Sequence, residues 1–251
     1  MLHAGVLMKL GAFGIIRVAL PLLPDGAREW CPIIVFLPIV NIVYGALVAM
    51  SQKDLKYVVA YSSVSHMGIV LLGICSLNIL SLNGAVFQMF SHGVMTGLFF
   101  ALVGCVYGRT HTRMLKEMGG LAKLTPFLAV AFAIAGLTSL GLPGLSGFVA
   151  EILVFLGAFR AYPILTIIAG TGIVITAIYV LRVLQKIFFS TLNPKFVASD
   201  GQQNASIPIK DATLIEKIAL SILMLVLILF GLWPSFIVEV IRLGIPEVLG
   251  G

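Results

Sequence analysis

The sequence predicts an all-α polytopic membrane bundle of about seven transmembrane helices, one of them broken, and three observations predict it. The chain is 60% hydrophobic and 10% charged, with mean hydropathy +1.12, whereas about a quarter of a soluble domain is charged. Its apolar stretches, at 2–22, 33–51, 56–76, 83–107, 126–159, 163–190 and 213–233, each suffice to cross a bilayer. The fifth overshoots: about 34 residues at roughly 1.5 Å each is far longer than a ~30 Å hydrocarbon core. Something must interrupt it.

Charge excludes some functions and orients the rest. The net charge of +6 sits in loops between apolar runs, the topological pattern of membrane proteins, so nucleic-acid binding is set aside. The loops after the second, fourth and sixth spans hold Lys53, Lys56, Arg109, Arg113, Lys116, Lys123, Lys186, Lys195 and Lys210. The alternate loops and tail hold only Arg28, Arg160 and Arg242. By the positive-inside rule the N-terminus is inside and the C-terminus outside. Cys31, Cys75 and Cys105 are odd in number and widely spaced, without CxxC, and read as packing residues rather than a disulfide framework or metal site. No cleavable signal peptide is visible.

The first span starts with almost no polar flank, the mark of a shortened chain, and carries Lys9 in its interior. An ammonium there is expected to face protein or water rather than lipid. Pro21, Pro24, Asp25 and Gly26 read as an outer turn, Pro32 as the reopening of the second span, and Pro38 with Asn41 as a mild kink. The third span places Ser62, Ser65, His66 and Ile69 on one face, with His66 near mid-membrane. The fourth repeats the theme with Gln88, Ser91, His92 and Thr96 at spacings of three and four. Each histidine alone reads as a hydrogen-bonded core residue; together, and with Lys9 and Glu151, they read as a buried polar path. His111, in the basic 109–113 loop, reads as solvated.

The fifth span, 126–159, has its break at 141–147, where Pro143 removes a backbone donor and Gly141, Gly144 and Gly147 permit unusual dihedrals. Freed backbone groups are tolerated in a membrane only inside protein or beside a wet cavity. Glu151 follows the break and is the one carboxylate deep inside an apolar run, which makes it a functional-site candidate rather than merely a paired residue beside a kink. The sixth span ends in Arg182, Gln185 and Lys186, and an irregular polar inner loop follows, with an Asn204-Ala205-Ser206 sequon. The last span ends at an interfacial Trp233-Pro234, and the tail with Phe236, Ile237, Val240, Ile241 and Arg242 is expected along the outer surface.

Carrying a proton across hydrocarbon needs groups that hold and release it near neutral pH, joined by hydroxyls, amides and water. Imidazole does so intrinsically, and removal from water pushes carboxyl and amino groups toward their neutral forms. No nucleophile-base dyad, phosphate loop or HExxH motif accompanies the set.

The motifs MKLGAFGIIR, DLKYVVAYSSVSHMGIVLLGI, FQMFSHGVMTGLFF, THTRMLKEMGGL and GLPGLSGFVAEILVFLGAF resemble the M (chain 4) family of antiporter-like membrane subunits of NADH-quinone oxidoreductase, respiratory complex I. The resemblance covers the chain to about residue 190. It implies that the seven spans correspond to the C-terminal half of a fourteen-span subunit. Residues 1–31 would be the span with the linking Lys9, 32–190 a five-helix proton-translocating repeat, 191–212 an inner loop and 213–251 the final span and outer tail. His66 and His92 match the family's central polar axis, and Glu151 its broken-helix glutamate. Proton transport coupled to electron transfer elsewhere in the complex is implied, as a subunit of an oxidoreductase and translocase with no redox site of its own. NADH, FMN, iron-sulfur clusters and quinone are then expected in partner subunits and no cofactor or metal in this chain. Its partners would be other membrane subunits, including neighbouring antiporter-like ones, and the lipid bilayer, in a bacterial inner (plasma) membrane. A multi-subunit sodium/proton antiporter or membrane-bound hydrogenase subunit is the nearest alternative; several of those carry lysine where Glu151 stands. A non-transporting structural fragment is the alternative of a different class, opposed by the cost of keeping four ionisable groups within spans.

Overall fold

A computed structural model describes residues 2–196 and 209–245. The sequon and most of the expected irregular inner loop lie outside the described residues. All described regular structure is helical: α1 (His3–Leu22), α2 (Pro24–Ile34), α3 (Phe36–Ser51), α4 (Leu55–Cys75), α5 (Ile79–Thr110), α6 (Pro126–Ser139), α7 (Ser146–Ala161), α8 (Pro163–Phe189), α9 (Leu214–Leu232) and α10 (Ser235–Gly244). Five of these are long and apolar enough to cross a membrane, or up to six if α2 and α3 count as one bent span. The remaining expected span is α6 with α7, of 14 and 16 residues. Each half is too short alone at roughly 1.5 Å per residue.

The second span departs from expectation. Asp25, Gly26 and Pro32 are helical, not a turn and a restart: α2 begins at Pro24, and the only non-helical residue before it among the described residues is Leu23 (φ −132°, ψ 58°). Proline suits a first helical position because its ring presets φ and its missing N–H has no partner there anyway. Asp25 adds a carboxylate to the first turn, where the helix dipole favours it. Pro32 cannot bond the Arg28 carbonyl, and α2 meets α3 at a 44° bend next to fully buried Val35.

The break also differs in extent. The non-helical stretch is 140–145, while Ser146 and Gly147 already belong to α7. Gly141 (φ 65°) and Gly144 (φ 93°) occupy the left-handed region that glycine tolerates. Gly147 is needed for a different reason: a Cβ there would run into the Thr138 carbonyl of the other half-helix.

The loops at the Lys-rich end knit together. Leu55 N–H donates to Arg113 O and Leu115 N–H to Lys53 O, both at 2.9 Å, and the Asn193 amide donates to Glu117 O at 2.7 Å. Asp211 Oδ2 accepts from Phe127 N–H at 3.0 Å, satisfying one of the free amides that begin α6. At the other end Tyr162 donates to Cys75 O at 3.3 Å and the Asn78 amide to Gly157 O at 3.1 Å. The three cysteines are free thiols, Cys31 and Cys75 buried among apolar neighbours.

Helix α4 is the most buried of the long apolar helices. It packs closely on α3 through small residues: a Cβ on Gly45 would lie 2.8 Å from Ser65 N, and one on Gly68 2.8 Å from Ile42 Cγ1. α5 and α7 approach in the same way, at Gly84 against Val154 N and at Gly157 against Ser81 N, both 2.6 Å from an added Cβ. α9 crosses the break, with Gly231 against the backbone of Gly144 and Leu145. Its start is tied to α5 by Arg109 Nη2 and Glu216 Oε2 at 2.6 Å, and its own first turn is closed by a capping box between Thr213 and Glu216. Ile164, Ile167, Val174, Ile178 and Leu181 leave one face of α8 apolar and uncovered, as a lipid-facing helix requires.

Candidate functional site

Four helices bring Lys9, His92, His66 and Glu151 into one line through the bundle interior. Lys9 rises from α1 beside the Gly93 stretch of α5, where a Cβ would meet Gly5 O at 2.9 Å, so the two backbones nearly touch. That approach delivers Lys9 Nζ to 2.8 Å from His92 Nδ1, and the same ammonium bonds the Ala4 carbonyl. The His92 ring, 1% exposed, stands with its centroid 5.4 Å from that of His66, tilted by 46°. His66 Nδ1 lies 3.4 Å from Glu151 Oε1. Neither Nε2 atom has a hydrogen-bond partner among the described residues.

Gln88 Nε2 also lies 3.4 Å from His66 Nδ1. One ring nitrogen therefore faces both an amide donor and a carboxylate acceptor. As an N–H it donates to Glu151; as a bare nitrogen it accepts from Gln88. Which interaction forms is set by where the imidazole proton sits.

Glu151 is 6% exposed and leans on the break itself: a Cβ on Gly141 would stand 2.6 Å from Glu151 Oε2. The break thus gives the carboxylate room that no other residue type would leave. Ser91 and Ser146 join α5 to the first turn of α7 through an Oγ–Oγ contact of 2.8 Å.

The remaining sequence-predicted residues are differently engaged. Ser62 donates to Val59 O at 2.8 Å. Ser65 turns away, to Ile42 O of α3 at 2.9 Å, and Thr96 back-bonds to His92 O at 2.7 Å. Pro143 and Gly144 lie in the break, on the α9 side, where Gly144 faces Leu232. Sequence reasoning missed Tyr179, 2% exposed on α8 with an unpartnered hydroxyl, and Asp211. The inward face of α8 reads Thr166, Ala169, Gly172, Thr176, Tyr179, a small and hydroxyl stripe at helical spacing that could have disclosed the first of them.

A family profile described as "NADH:quinone oxidoreductase/Mrp antiporter, TM" matches residues 1–176. NADH-quinone oxidoreductase subunit M of Rickettsia bellii is 40% identical over 246 residues, covering 98% of this chain and 48% of the relative. NAD(P)H-quinone oxidoreductase chain 4 of Acaryochloris marina is 41% identical over 249 residues, covering 96% and 45%. Among solved structures, respiratory complex I from Thermus thermophilus with bound NADH contains a chain 34% identical, TM-score 0.84, covering 98% of this chain and 50% of that one. The Mrp complex from Dietzia sp. DQ12-45-1b contains one 21% identical, TM-score 0.86, covering 98% and 52%, a likeness of fold. The chain spans about half the length of the curated relatives it matches.

Proposed function

The chain belongs to the NADH:quinone oxidoreductase/Mrp antiporter membrane family, and from that premise we propose that it is a proton-translocating membrane subunit of an NADH-quinone oxidoreductase. The observation that carries the proposal is the line Lys9–His92–His66–Glu151, half-buried at Lys9 and buried from His92 onward, ending on a broken helix. Four ionisable side chains in spans are costly to keep unless they act.

Each link has a proton-transfer function. Lys9, when charged, donates to His92 Nδ1 and leaves that ring neutral; when it gives up a proton, His92 can take one. A proton passes between the two imidazoles over a bridging water, since their rings are 5.4 Å apart. On His66 it resides at Nδ1, where Glu151 accepts it. Gln88 then holds the ring that has lost it. The break beside Glu151 provides the route onward, with Glu151 nearest the exit and Lys9 at the opposite end of the path.

We assign residues 32–190 to the proton-handling unit and residues 1–31 to the span that links it to a neighbouring proton path. The Lys-rich end faces inside, with the N-terminus, and the C-terminus faces outside. Redox chemistry, with NADH, FMN, iron-sulfur clusters and quinone, belongs in this reading to partner subunits, and other antiporter-like subunits lie alongside in the bilayer of a bacterial inner membrane.

Glu151→Gln in the assembled complex tests the reading, because it keeps volume and hydrogen bonding but removes titration. Coupled proton transport is expected to be lost, with partial retention in Glu151→Asp. Transport at the unmodified rate in Glu151→Gln, at normal assembly, would make Glu151 structural and end the proposal.

A further inference from the structure

The end of the bundle opposite the Lys-rich loops carries a cluster of polar groups that the proton relay does not use. There the turn between α4 and α5, the second half of α7 and the middle of α10 enclose a crevice of about 750 Å³. Arg160, Arg242, Asn78 and Asn83 line it together with apolar Leu153 and Val238, and no carboxylate among the described residues does. The two guanidinium groups form no ion pair among the described residues. Asn78 is fully engaged: its nitrogen donates to Ser76 O and Gly157 O, both at 3.1 Å, and its oxygen accepts from Ser81 N–H at 2.9 Å. Asn83 is not. It is 5% exposed, its Oδ1 is buried without a partner, and among the described residues its side chain makes no hydrogen bond. A buried amide left open in this way is costly unless something completes it.

The crevice stands at the level of the lipid headgroups. The 21 residues of α4, at roughly 1.5 Å each, just cross a ~30 Å hydrocarbon core, and the turn at 76–78 follows directly. Helix α10 has the matching character. Ile241 and Ile245 hold it to an apolar cluster shared by α1, α4 and α5, whereas Phe236, Val240 and Leu243 are exposed beside Arg242, the pattern of a helix lying in the interface with its cation at the surface.

We propose that the crevice binds one anionic phospholipid of the phosphatidylglycerol type, its phosphate between Arg160 and Arg242, its headgroup against Asn83 and its acyl chains along Leu153, Val238 and the apolar flank of α10. Guanidinium forks match phosphate oxygens and are not competed for by any carboxylate here. A phosphate oxygen and a glycerol hydroxyl give the Asn83 amide an acceptor and a donor at once. The alternatives each leave something open. A zwitterionic lipid brings its own cation to the arginines. Free phosphate leaves the apolar wall uncovered. A carboxylate from a neighbouring subunit only accepts, so Asn83 Oδ1 would stay unpaired. The inference is independent of the proton relay and needs only that the chain lies in a membrane.

The test uses the assembled complex in nanodiscs of phosphatidylcholine doped with phosphatidylglycerol that carries a headgroup diazirine. Photolysis, proteolysis and mass spectrometry then locate the label. It is expected in 76–83, 153–161 and 238–242, displaced by unlabelled phosphatidylglycerol but not by inorganic phosphate or by more phosphatidylcholine. Arg160→Gln with Arg242→Gln should cut labelling of these segments by about tenfold or more, as the loss of charge-assisted hydrogen bonds implies, with labelling elsewhere on the chain unchanged. Asn83→Asp keeps the volume and adds a negative charge; it should lower labelling in the same segments and decides the matter if the arginine variant does not assemble. Labelling that is equal in the variants, that inorganic phosphate displaces, or that a phosphatidylcholine diazirine reproduces would overturn the proposal. So would a carbodiimide cross-link from an Arg160→Lys, Arg242→Lys variant to a carboxylate of a neighbouring subunit, which would put protein where the lipid is assigned.

Discussion

Lys9 and His92, separated by 83 positions in sequence, meet nitrogen to nitrogen at 2.8 Å where half-buried Lys9 of α1 reaches the buried ring on α5. Two positive charges at such a distance oppose one another by about 6 kcal/mol at an effective dielectric near 20. That is enough to make their charging mutually exclusive. In the relay proposed above, the pair then acts as one site with one proton to place.

Replacing Lys9 by Met removes this competition and leaves His92 Nδ1 without its donor. Coupled proton transport in the assembled complex is expected to fall by about tenfold or more. Lys9→Arg is expected to recover little, because guanidinium holds its proton at any physiological pH. Transport rates in membrane vesicles decide it. Full activity in Lys9→Met would place the lysine outside the path.

Gly141→Ala puts a Cβ 2.6 Å from Glu151 Oε2 on a backbone at φ 65°. The left-handed conformation alone costs an L-residue roughly 1–2 kcal/mol, and the carboxylate must move as well. Thermal unfolding in detergent is expected to shift down, and proton transport to fall with it. Gly147→Ala should also destabilise, through the Thr138 carbonyl. It leaves Glu151 untouched, so its loss of transport per loss of stability should be smaller.

Arg109 meets Glu216 at 2.6 Å, and a second guanidinium nitrogen lies 3.2 Å from Glu216 Oε1. The pair is partly exposed, so solvent screens it, and a double-mutant cycle with Arg109→Gln and Glu216→Gln is expected to give a coupling of about 1 kcal/mol. Protease sensitivity of the segment before α9 should rise in either single variant. A coupling near zero would mean that the ion pair adds nothing to the packing that holds α9 in place.

Cysteine substituted for Lys116 should resist an impermeant thiol reagent from the outer face of intact cells and react in inverted vesicles. The expectation rests on the Lys-rich end, where the 111–125 loop carries Lys116 and Lys123 and packs against Lys53 and Asn193. Ready labelling from outside would invert the assignment of both termini.

Much of this was legible in the sequence because lipid simplifies the code. Long apolar runs gave the spans, and rare charges within them drew attention to Lys9, His66, His92 and Glu151. The helix α2 was not legible: Pro24, Asp25 and Gly26 are turn residues by composition, and they are also what the first turn of a helix accepts. Ser65 and Thr96 illustrate a second limit. A hydroxyl on a polar stripe can face across the bundle or bond a backbone carbonyl, here Ile42 O and His92 O, and spacing does not distinguish the two. Tyr179 escaped because its meaning comes from a space between helices, formed with Ser62 of α4 and Ser139 of α6.

The passage of α9 across the break has a consequence for biogenesis. α6 and α7 leave the ribosome well before Gly231 exists to lie against Gly144 and Leu145. Neither half-helix spans the bilayer alone, so the pair must enter as one unit. Until α9 follows, the backbone of 140–145 lacks its cover on that side. Free backbone groups are not tolerated against lipid, so that face of the break needs cover until Gly231 arrives.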